Sequence, residues 1–501
     1  MTSPGISRTR KADLTRLFQP ETIAHVGASP RPAVGRFSFT KYLLTMNYPG
    51  RLYPVNPKYE EVHGLRCYPS LADIPDDVDL AILAVPSLQC ASALREAPQG
   101  KVKFVIIHTS GFGEIRKAEL EEELLELAQT KGFRIIGPNC MGIYSQEGRV
   151  GFWRDHWEIV NKPGSVGFIS QSGGHAVNIL MGGMDTGIFF NKVISLGNQL
   201  DLTIHEVLEY MGKDPAIGVI GIYVEDVRDG SRFLGLLKDI VPGKPVVVWK
   251  GGTSAVGKEA VLSHTGSLAG DEAVFSAAMR QAGALLVDNF DHMVRLIRLL
   301  QPQFGLPAGS RIAIFSPGGG NTVSACDLFS SQPGLSLPPF GAETREKLKT
   351  LLPEENVDIR NPVDPGATGA VRIDQLMRVV SQDPQIDAIL VLIGVDYLSN
   401  IKGEESRALA AEMISDLIAT TVKQVKKPIT VLLQQVRQNH EDFDRYRRIM
   451  LSKFIEKRIP WIDGSFKDAA QIYAQVAQYR NHLARLRQRE SFPDGRETGS
   501  F

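Results

Sequence analysis

The stretch Trp249-Lys250-Gly251-Gly252-Thr253-Ser254-Ala255-Val256-Gly257-Lys258-Glu259-Ala260-Val261-Leu262-Ser263-His264-Thr265-Gly266-Ser267-Leu268-Ala269-Gly270 decides how the chain is read. An apolar strand, Pro245 to Trp249, runs into it, and Asp271 stands where it would cap a following helix. Between them Gly, Ser, Thr and Ala dominate, which predicts a loop that moves or is approached closely around one reactive side chain, the imidazole of His264. Gly252-x4-Gly257-Lys258 nearly matches a nucleotide-binding P-loop, but Glu259 stands where a hydroxyl must meet magnesium, and a carboxylate there would repel phosphates. A neutral imidazole is instead available near pH 7 as a nucleophile that accepts a phosphoryl group. A loop histidine without chemistry is the bland alternative.

Outward from this stretch the same pattern of strand, small-residue turn and helix repeats. Toward the N-terminus it predicts strands at Thr22 to Val26, Arg51 to Val55, Leu80 to Val85, Val102 to Ile107 and Phe133 to Ile136, with helices at Phe37 to Met46, Leu88 to Glu96 and Ile115 to Lys131. Such alternation implies a parallel sheet that binds ligands beyond the carboxyl ends of its strands. Those ends carry Gly27-Ala28-Ser29, Val55-Asn56-Pro57-Lys58, Val85-Pro86-Ser87 and Gly137-Pro138-Asn139-Cys140. The first is a tight turn whose amides, at a helix start, suit a phosphate, with Lys58 adding a cation or remaining a solvated surface lysine. There is no G-x-G-x-x-G, and no acidic residue follows the second strand to hold a ribose, which weighs against a nicotinamide dehydrogenase.

A second unit begins near Pro163. Val166 to Ile169 reads as a strand, and Ser170-Gln171-Ser172-Gly173-Gly174 opens a helix through about Met181, placing the amides of Ser172, Gly173 and Gly174 at a positive helix terminus. The strand Gly218 to Val224 ends in Glu225-Asp226. If the strands are parallel, Glu225 and His264 leave the same sheet edge near Ser172, where a carboxylate could fix the imidazole tautomer, unless Glu225 is a plain surface acid. Beyond the joint Gln301 to Pro307, a third unit repeats the scheme with a strand at Arg311 to Phe315, the turn Ser316-Pro317-Gly318-Gly319-Gly320-Asn321 and a helix from Thr322. A final helix, about Ser465 to Leu486, leads to a charged tail at 487–501 expected to be disordered.

Composition narrows the class. At 501 residues the chain needs about three domains, and 43% hydrophobic with 22% charged residues is ordinary for a globular protein. Lys plus Arg equals Asp plus Glu at 56 each, so no net field favours nucleic acid or an anionic membrane. Cys67, Cys90, Cys140 and Cys326 are scattered, which argues against a disulfide framework or a zinc site, and no metal ligand set is expected. With no secretory signal or membrane-length apolar run, a cytoplasmic enzyme is the expectation.

Laid out in order, these pieces resemble the nucleoside-diphosphate-forming acyl-CoA synthetases, which include succinyl-CoA synthetase and the ADP-forming acetyl-CoA synthetases. The likeness covers about residues 15 to 480. It rests on Gly27-Ala28-Ser29, Val55-Asn56-Pro57-Lys58 with Cys67-Tyr68-Pro69-Ser70-Leu71, Gly137-Pro138-Asn139-Cys140-Met141-Gly142, Ser170-Gln171-Ser172-Gly173, Glu225, Ser263-His264-Thr265-Gly266-Ser267-Leu268-Ala269-Gly270 and Asn361-Pro362-Val363-Asp364.

The resemblance implies an α/β fold of three consecutive parallel-sheet domains. These are a Rossmann-like CoA-binding domain at 15–148, then two flavodoxin-like ligase domains, 160–301 with the phosphohistidine loop and 308–480. Coenzyme A would lie against Gly27, Ala28, Ser29, Asn56 and Lys58, with Val85 and Pro86 beside its nucleotide and Asn139 and Cys140 near its thiol. His264 would carry the phosphoryl group and Glu225 support it, while Ser172, Gly173 and Gly174 with Gly318, Gly319, Gly320 and Asn321 clamp that group between two helix termini. The family handles ATP or GTP with magnesium in an ATP-grasp module for which this chain has no room. The resemblance therefore implies a separate ATP-grasp, beta-like subunit in a heterotetramer, with a small carboxylic acid as substrate. A non-catalytic CoA-binding regulator of the same fold is the alternative. Trp153 and Trp157 depart from the expected small or polar residues, and either line an acyl pocket or seal an interface.

Overall fold

The computed structural model describes residues 13–31, 38–113, 117–152, 162–265, 271–352, 359–366, 372–437 and 439–491. The chain groups into two compact units. One comprises Met1–Met184, Phe189–Leu236 and Lys250–Phe275, and the other Asp185–Ile188, Leu237–Trp249 and Ser276–Phe501.

In the first unit the strands are β1 (Thr22–Val26), β2 (Arg51–Val55), the short antiparallel pair β3 (Glu61–Val62) and β4 (Leu65–Arg66), β5 (Val78–Leu83), β6 (Val102–Ile107) and β7 (Arg134–Ile136). Five of them form a parallel sheet in the order β2-β1-β5-β6-β7. Its strands are apolar runs rather than alternating ones because both faces are covered, as in β1 and β5, where every residue is buried. On one face Leu94 and Leu124, from helices Ser87–Arg95 and Ala118–Lys131, pack on Ala24, Ala81 and Val105. The strand order reverses between β1 and β5, which opens a crevice at their carboxyl ends.

Gly27 occupies that reversal at φ +91°, where a Cβ would stand 2.7 Å from the Ala84 carbonyl oxygen and 2.9 Å from Val85 Cγ1. Gly27→Ala is therefore expected to cost about 2 kcal/mol or more, from left-handed strain plus the forced separation of β1 from the 84–85 turn. Denaturant unfolding reads this as a lower midpoint at unchanged slope.

The same unit continues with β8 (Gly142–Ser145), β9 (Val166–Ser170), β10 (Phe190–Ser195) and β11 (Val219–Val224), side by side as β11-β9-β10-β8. β8 is antiparallel to β10 and the other pairs are parallel. From β9 the order runs one way to β10 and the other way to β11, so the ends of β9 and β11 flank a second reversal.

In the second unit β12 (Val246–Lys250), whose last residue belongs to the first unit, pairs in parallel with β13 (Leu285–Val287). The parallel strands β14 (Ile312–Phe315), β15 (Ala388–Gly394), β16 (Ile429–Gln434) and β17 (Trp461–Asp463) lie in that order. Bridges from Phe315 to Val363 and from Arg311 to Ser336 extend the far side of β14.

Two local expectations change and a third holds. The stretch expected as a loop is helical over Ala255–Thr265. Its Lys, Glu, Ala, Val and Leu residues are adequate helix formers, and Ser254 starts the turn by accepting the amide of Gly257 on Oγ (3.0 Å) and that of Lys258 on its carbonyl (2.8 Å). The helix expected at Phe37 to Met46 runs over Phe39–Thr45. The last helix, Phe466–Ser491, carries into the segment expected as a disordered tail, whose remainder at 492–501 lies outside the described residues, as do Trp153 and Trp157. Among the described residues no helix is long and apolar enough to cross a membrane.

Candidate active site

The crevice of the first sheet is built from backbone. The Gly27 amide donates to the Val55 carbonyl (2.9 Å), and Asn56 Nδ2 donates to the Ala28 carbonyl (2.8 Å) while its Oδ1 accepts the Lys58 amide (3.0 Å). One side-chain amide thus ties the first turn to the second and leaves Lys58 exposed at the rim. On the other side Thr109 Oγ1 donates to the Val85 carbonyl (2.6 Å), and the Thr109 carbonyl accepts the Asn139 amide (3.0 Å). Gly27, Ala28, Ser29, Asn56, Lys58, Val85 and Asn139 therefore frame one sheet end, and Pro86 is exposed beside Val85.

Cys140 is there for its main chain. His108 Nδ1 lies 2.8 Å from the Cys140 carbonyl oxygen, while the thiol is buried and pushed up to about 12 by burial. In the folded protein at pH 8, iodoacetamide is expected to spare Cys140 and Cys90, whose thiol burial also pushes up to about 12, and to reach the half-buried Cys326 first. Early alkylation of Cys140, read by peptide mass, would contradict this burial.

The turn after β7 leads from this crevice to the reversal between β9 and β11. The Met141 amide donates to Ser195 Oγ (3.1 Å) and the Asn198 amide to the Pro138 carbonyl (3.0 Å). A Cβ on Gly173 would stand 3.1 Å from Met141 Cγ, so the bare glycine lets helix Gly173–Asp185 start against the 139–141 turn. Ser172 caps that helix, its Oγ accepting the His175 amide (3.3 Å), so the first-turn amides of Gly173 and Gly174 sit at its positive end.

Glu225 stands opposite. The amides of Glu225 and Asp226 both donate to Gln171 Oε1 (2.7 and 3.0 Å), and Lys250 Nζ donates to the Glu225 carbonyl (2.7 Å) and that of Gly251 (2.6 Å). Tyr223 donates its hydroxyl to Glu225 Oε1 (3.2 Å), and the His175 ring lies against Tyr223 with centroids 4.3 Å apart. Burial and the Glu225 carboxylate push the Tyr223 hydroxyl well above its ordinary range, which keeps it a donor. Burial lowers His175, with Glu225 pulling the other way, and burial lowers Lys250 against the pull of Glu272, Asp226 and Glu225. At 6% exposure Glu225 is an internal carboxylate on a built scaffold rather than a surface acid.

The segment bearing His264 is rooted beside this carboxylate. The Gly251 amide donates to the Val224 carbonyl (2.8 Å), and a Cβ on Gly251 would stand 2.5 Å from the Tyr223 hydroxyl and 3.3 Å from Glu225 Cγ. His264 falls near the end of helix Ala255–Thr265, while its side chain and residues 266–270 lie outside the described residues. Ser172, Gly173 and Glu225 are therefore brought together, and the backbone of the His264 helix starts next to them.

Gly318, Gly319, Gly320 and Asn321 belong to the second unit. Asn321 Nδ2 donates to the Pro317 carbonyl (2.9 Å), the helix begins at Gly319, and a Cβ on Gly319 or Gly320 would meet nothing within 4 Å, so this exposed turn is open to approach. Among the described residues no three His, Cys, Asp or Glu side chains converge as a metal shell would need.

Sequence reading missed Gln171, Tyr223, His175 and Lys250 as parts of this site. Tyr223 carried a signal, since two residues before Glu225 on a strand is the same face. Gln171 and Lys250 lay inside stretches singled out for their neighbours.

Two family models match the chain: a CoA binding domain over residues 21–146 and a succinyl-CoA ligase like flavodoxin domain over 163–300. The alpha subunit of ADP-forming acetate–CoA ligase II from Pyrococcus furiosus is 34% identical over 475 residues, 93% of this chain and 98% of that subunit. ADP-forming acetate–CoA ligase I from Archaeoglobus fulgidus is 37% identical over 383 residues, 76% of this chain and 55% of its own length. The chain thus spans about half of that relative and nearly all of the Pyrococcus subunit. Among solved structures, the Ca. Korarchaeum cryptofilum dinucleotide forming acetyl-coenzyme A synthetase 1, in complex with phosphate and ADP, aligns with TM-score 0.82 at 28% identity, covering 95% of this chain and 98% of that one. Matched along almost its whole length by an alpha subunit, this chain belongs to the ADP-forming acetate–CoA ligase family of acyl-CoA synthetases.

Proposed function

We propose that the chain is the alpha-type subunit of a nucleoside-diphosphate-forming acid–CoA ligase, and that His264 shuttles the phosphoryl group. Coenzyme A sits at the first reversal, with its phosphates near Gly27, Ala28, Ser29, Asn56 and Lys58, its nucleotide beside Val85 and Pro86, and its thiol end toward Asn139 and the Cys140 main chain. A carboxylate oxygen of the acid attacks the phosphorus of phospho-His264, the P–N bond breaks, and an acyl phosphate forms. The CoA thiol then attacks the acyl carbon, the C–O bond to phosphate breaks, and inorganic phosphate leaves with the thiol proton. The helix end at Ser172-Gly173-Gly174 holds the transferring charge, and Glu225 supports the imidazole.

ATP or GTP with its magnesium recharges His264 on a separate ATP-grasp subunit, the two chain types forming a heterotetramer. The partner is supported by the match to 98% of an alpha subunit, set beside 55% of a longer relative whose name carries no subunit label.

The observation that carries the reading is Glu225. It is buried at a strand-order reversal, locked by Gln171 and Tyr223, and lies between a glycine-rich helix terminus and the root of the His264 helix. The test is phosphoenzyme formation. The chain, co-purified with its partner and given ATP or GTP with magnesium, should take up an acid-labile, alkali-stable phosphate on His264, which a panel of carboxylic acids with CoA then discharges. Discharge by none of the acids, or a label elsewhere, would refute it.

A further inference from the structure

The second unit carries a groove at the end of its β14–β17 sheet opposite the Gly318 turn. Asp387, Pro428 and Pro460, each directly preceding a strand, line it together with the joint after helix Phe290–Leu300. Reaction crevices of open α/β sheets lie at carboxyl ends, so this amino-end groove belongs to none of the parts assigned above.

Its volume is about 460 Å³, far more than a bare phosphate needs and within the range of small-molecule sites. Arg311, Lys426, Lys427 and Arg458 line it against the single carboxylate of Asp387. Asp387 is already engaged, taking Arg311 Nε (3.0 Å) and Nη2 (2.7 Å), a fork that holds the guanidinium in place. Lys427 is partly buried and donates to the Asp383 carbonyl. Lys426 and Arg458 are exposed at the rim.

Arg458 adopts φ +56° just past helix Glu441–Lys457, a left-handed position that glycine would occupy without strain. Between the cations Leu306, Val422 and Val425 also line the groove, and the half-buried Phe304, held on the short turn Pro302–Phe304, adds an aromatic ring to the lining.

We propose that this groove binds a nucleoside phosphate, with its phosphates on Lys426, Lys427 and Arg458 and its base against Phe304, as an effector site separate from the phosphoryl-transfer path. Cations alone would suit any anion. The Phe304 ring and the spare volume select one that carries a flat organic body.

The full chain, saturated with CoA so that its adenosine-binding crevice is filled, is titrated calorimetrically with ADP, AMP and inorganic phosphate at low salt. ADP and AMP should bind at one site, and phosphate at least about fivefold more weakly, because base stacking is worth about 1–3 kcal/mol. The Lys426→Ala/Arg458→Ala double variant should weaken ADP at least about tenfold, as loss of charge-assisted contacts predicts. Lys426→Glu, a surface change with no packing role, should act in the same direction. Phe304→Ala should weaken ADP but not phosphate. ADP binding that is absent, or unchanged by these substitutions, overturns the site. Phosphate binding as tightly as ADP overturns the nucleoside assignment. Because the substitutions locate the site, these outcomes are independent of whether His264 carries phosphate.

Discussion

His264→Ala is expected to abolish acid–CoA ligation by at least about 10⁴-fold while leaving CoA affinity within about twofold. The magnitude follows from the reaction's two halves sharing no other carrier. On the proposed route, a nucleoside triphosphate on the partner chain reaches the acid only through the covalent intermediate, and loss of a nucleophile leaves the background rate of binding and electrostatics. The CoA term is independent because Gly27, Asn56, Val85 and Asn139 frame a different sheet end, held by hydrogen bonds that do not involve the helix Ala255–Thr265. Steady-state ligation, CoA titration and acid-quenched phosphate labelling of wild type and variant, each with the partner present, give the three readings. More than a few per cent of wild-type turnover in the variant would mean that phosphate travels by another route.

The parallel sheets were legible because strands buried on both faces leave continuous apolar runs, and Thr22–Val26 and Val219–Val224 lie where such runs stand. Glu225 was legible for the related reason that a charged pair directly after the run Val219–Val224 must sit at a sheet end. Helix Ala255–Thr265 was hidden because Gly, Ser and Thr around His264 carry loop statistics, whereas the helix is decided by the capping of Ser254 and the packing of Val261, which is buried. The short strands β3, β4 and β8 were missed for want of length, since two to four residues show no periodicity. Gln171 could not be read as a scaffold from its own neighbourhood. Its partners are the amides of residues 225 and 226, and only the pairing of β9 with β11 brings them within reach. In general the sequence marked where groups leave the sheets, while which of them meet was set by strand order.

Glu225→Gln is expected to slow phosphoryl transfer to and from His264 by about 10² to 10⁴-fold without unfolding the protein. The amide has nearly the shape of the carboxyl and can still accept from Tyr223, and the bonds from the 225 and 226 amides to Gln171 are main-chain donors that any residue at 225 keeps. What changes is the charge. A buried carboxylate favours the cationic ring that forms as the imidazole takes phosphorus and fixes which ring nitrogen carries the proton, whereas an amide does neither. The loss should therefore appear in the single-turnover rate of phosphoenzyme formation and in kcat, with the Kd for CoA unchanged.

Tyr223→Phe supplies the graded comparison. It removes one hydrogen bond to the same oxygen and leaves the charge, so a loss of about five- to tenfold is expected, in line with about 1 kcal/mol for such a bond. If Tyr223→Phe cost as much as Glu225→Gln, or if the glutamine variant were phosphorylated at the wild-type rate, the carboxylate would be a structural anchor for the root of the helix rather than an electrostatic partner of the histidine. The two substitutions share one oxygen and differ in charge, so their ratio isolates the electrostatic contribution from the positional one.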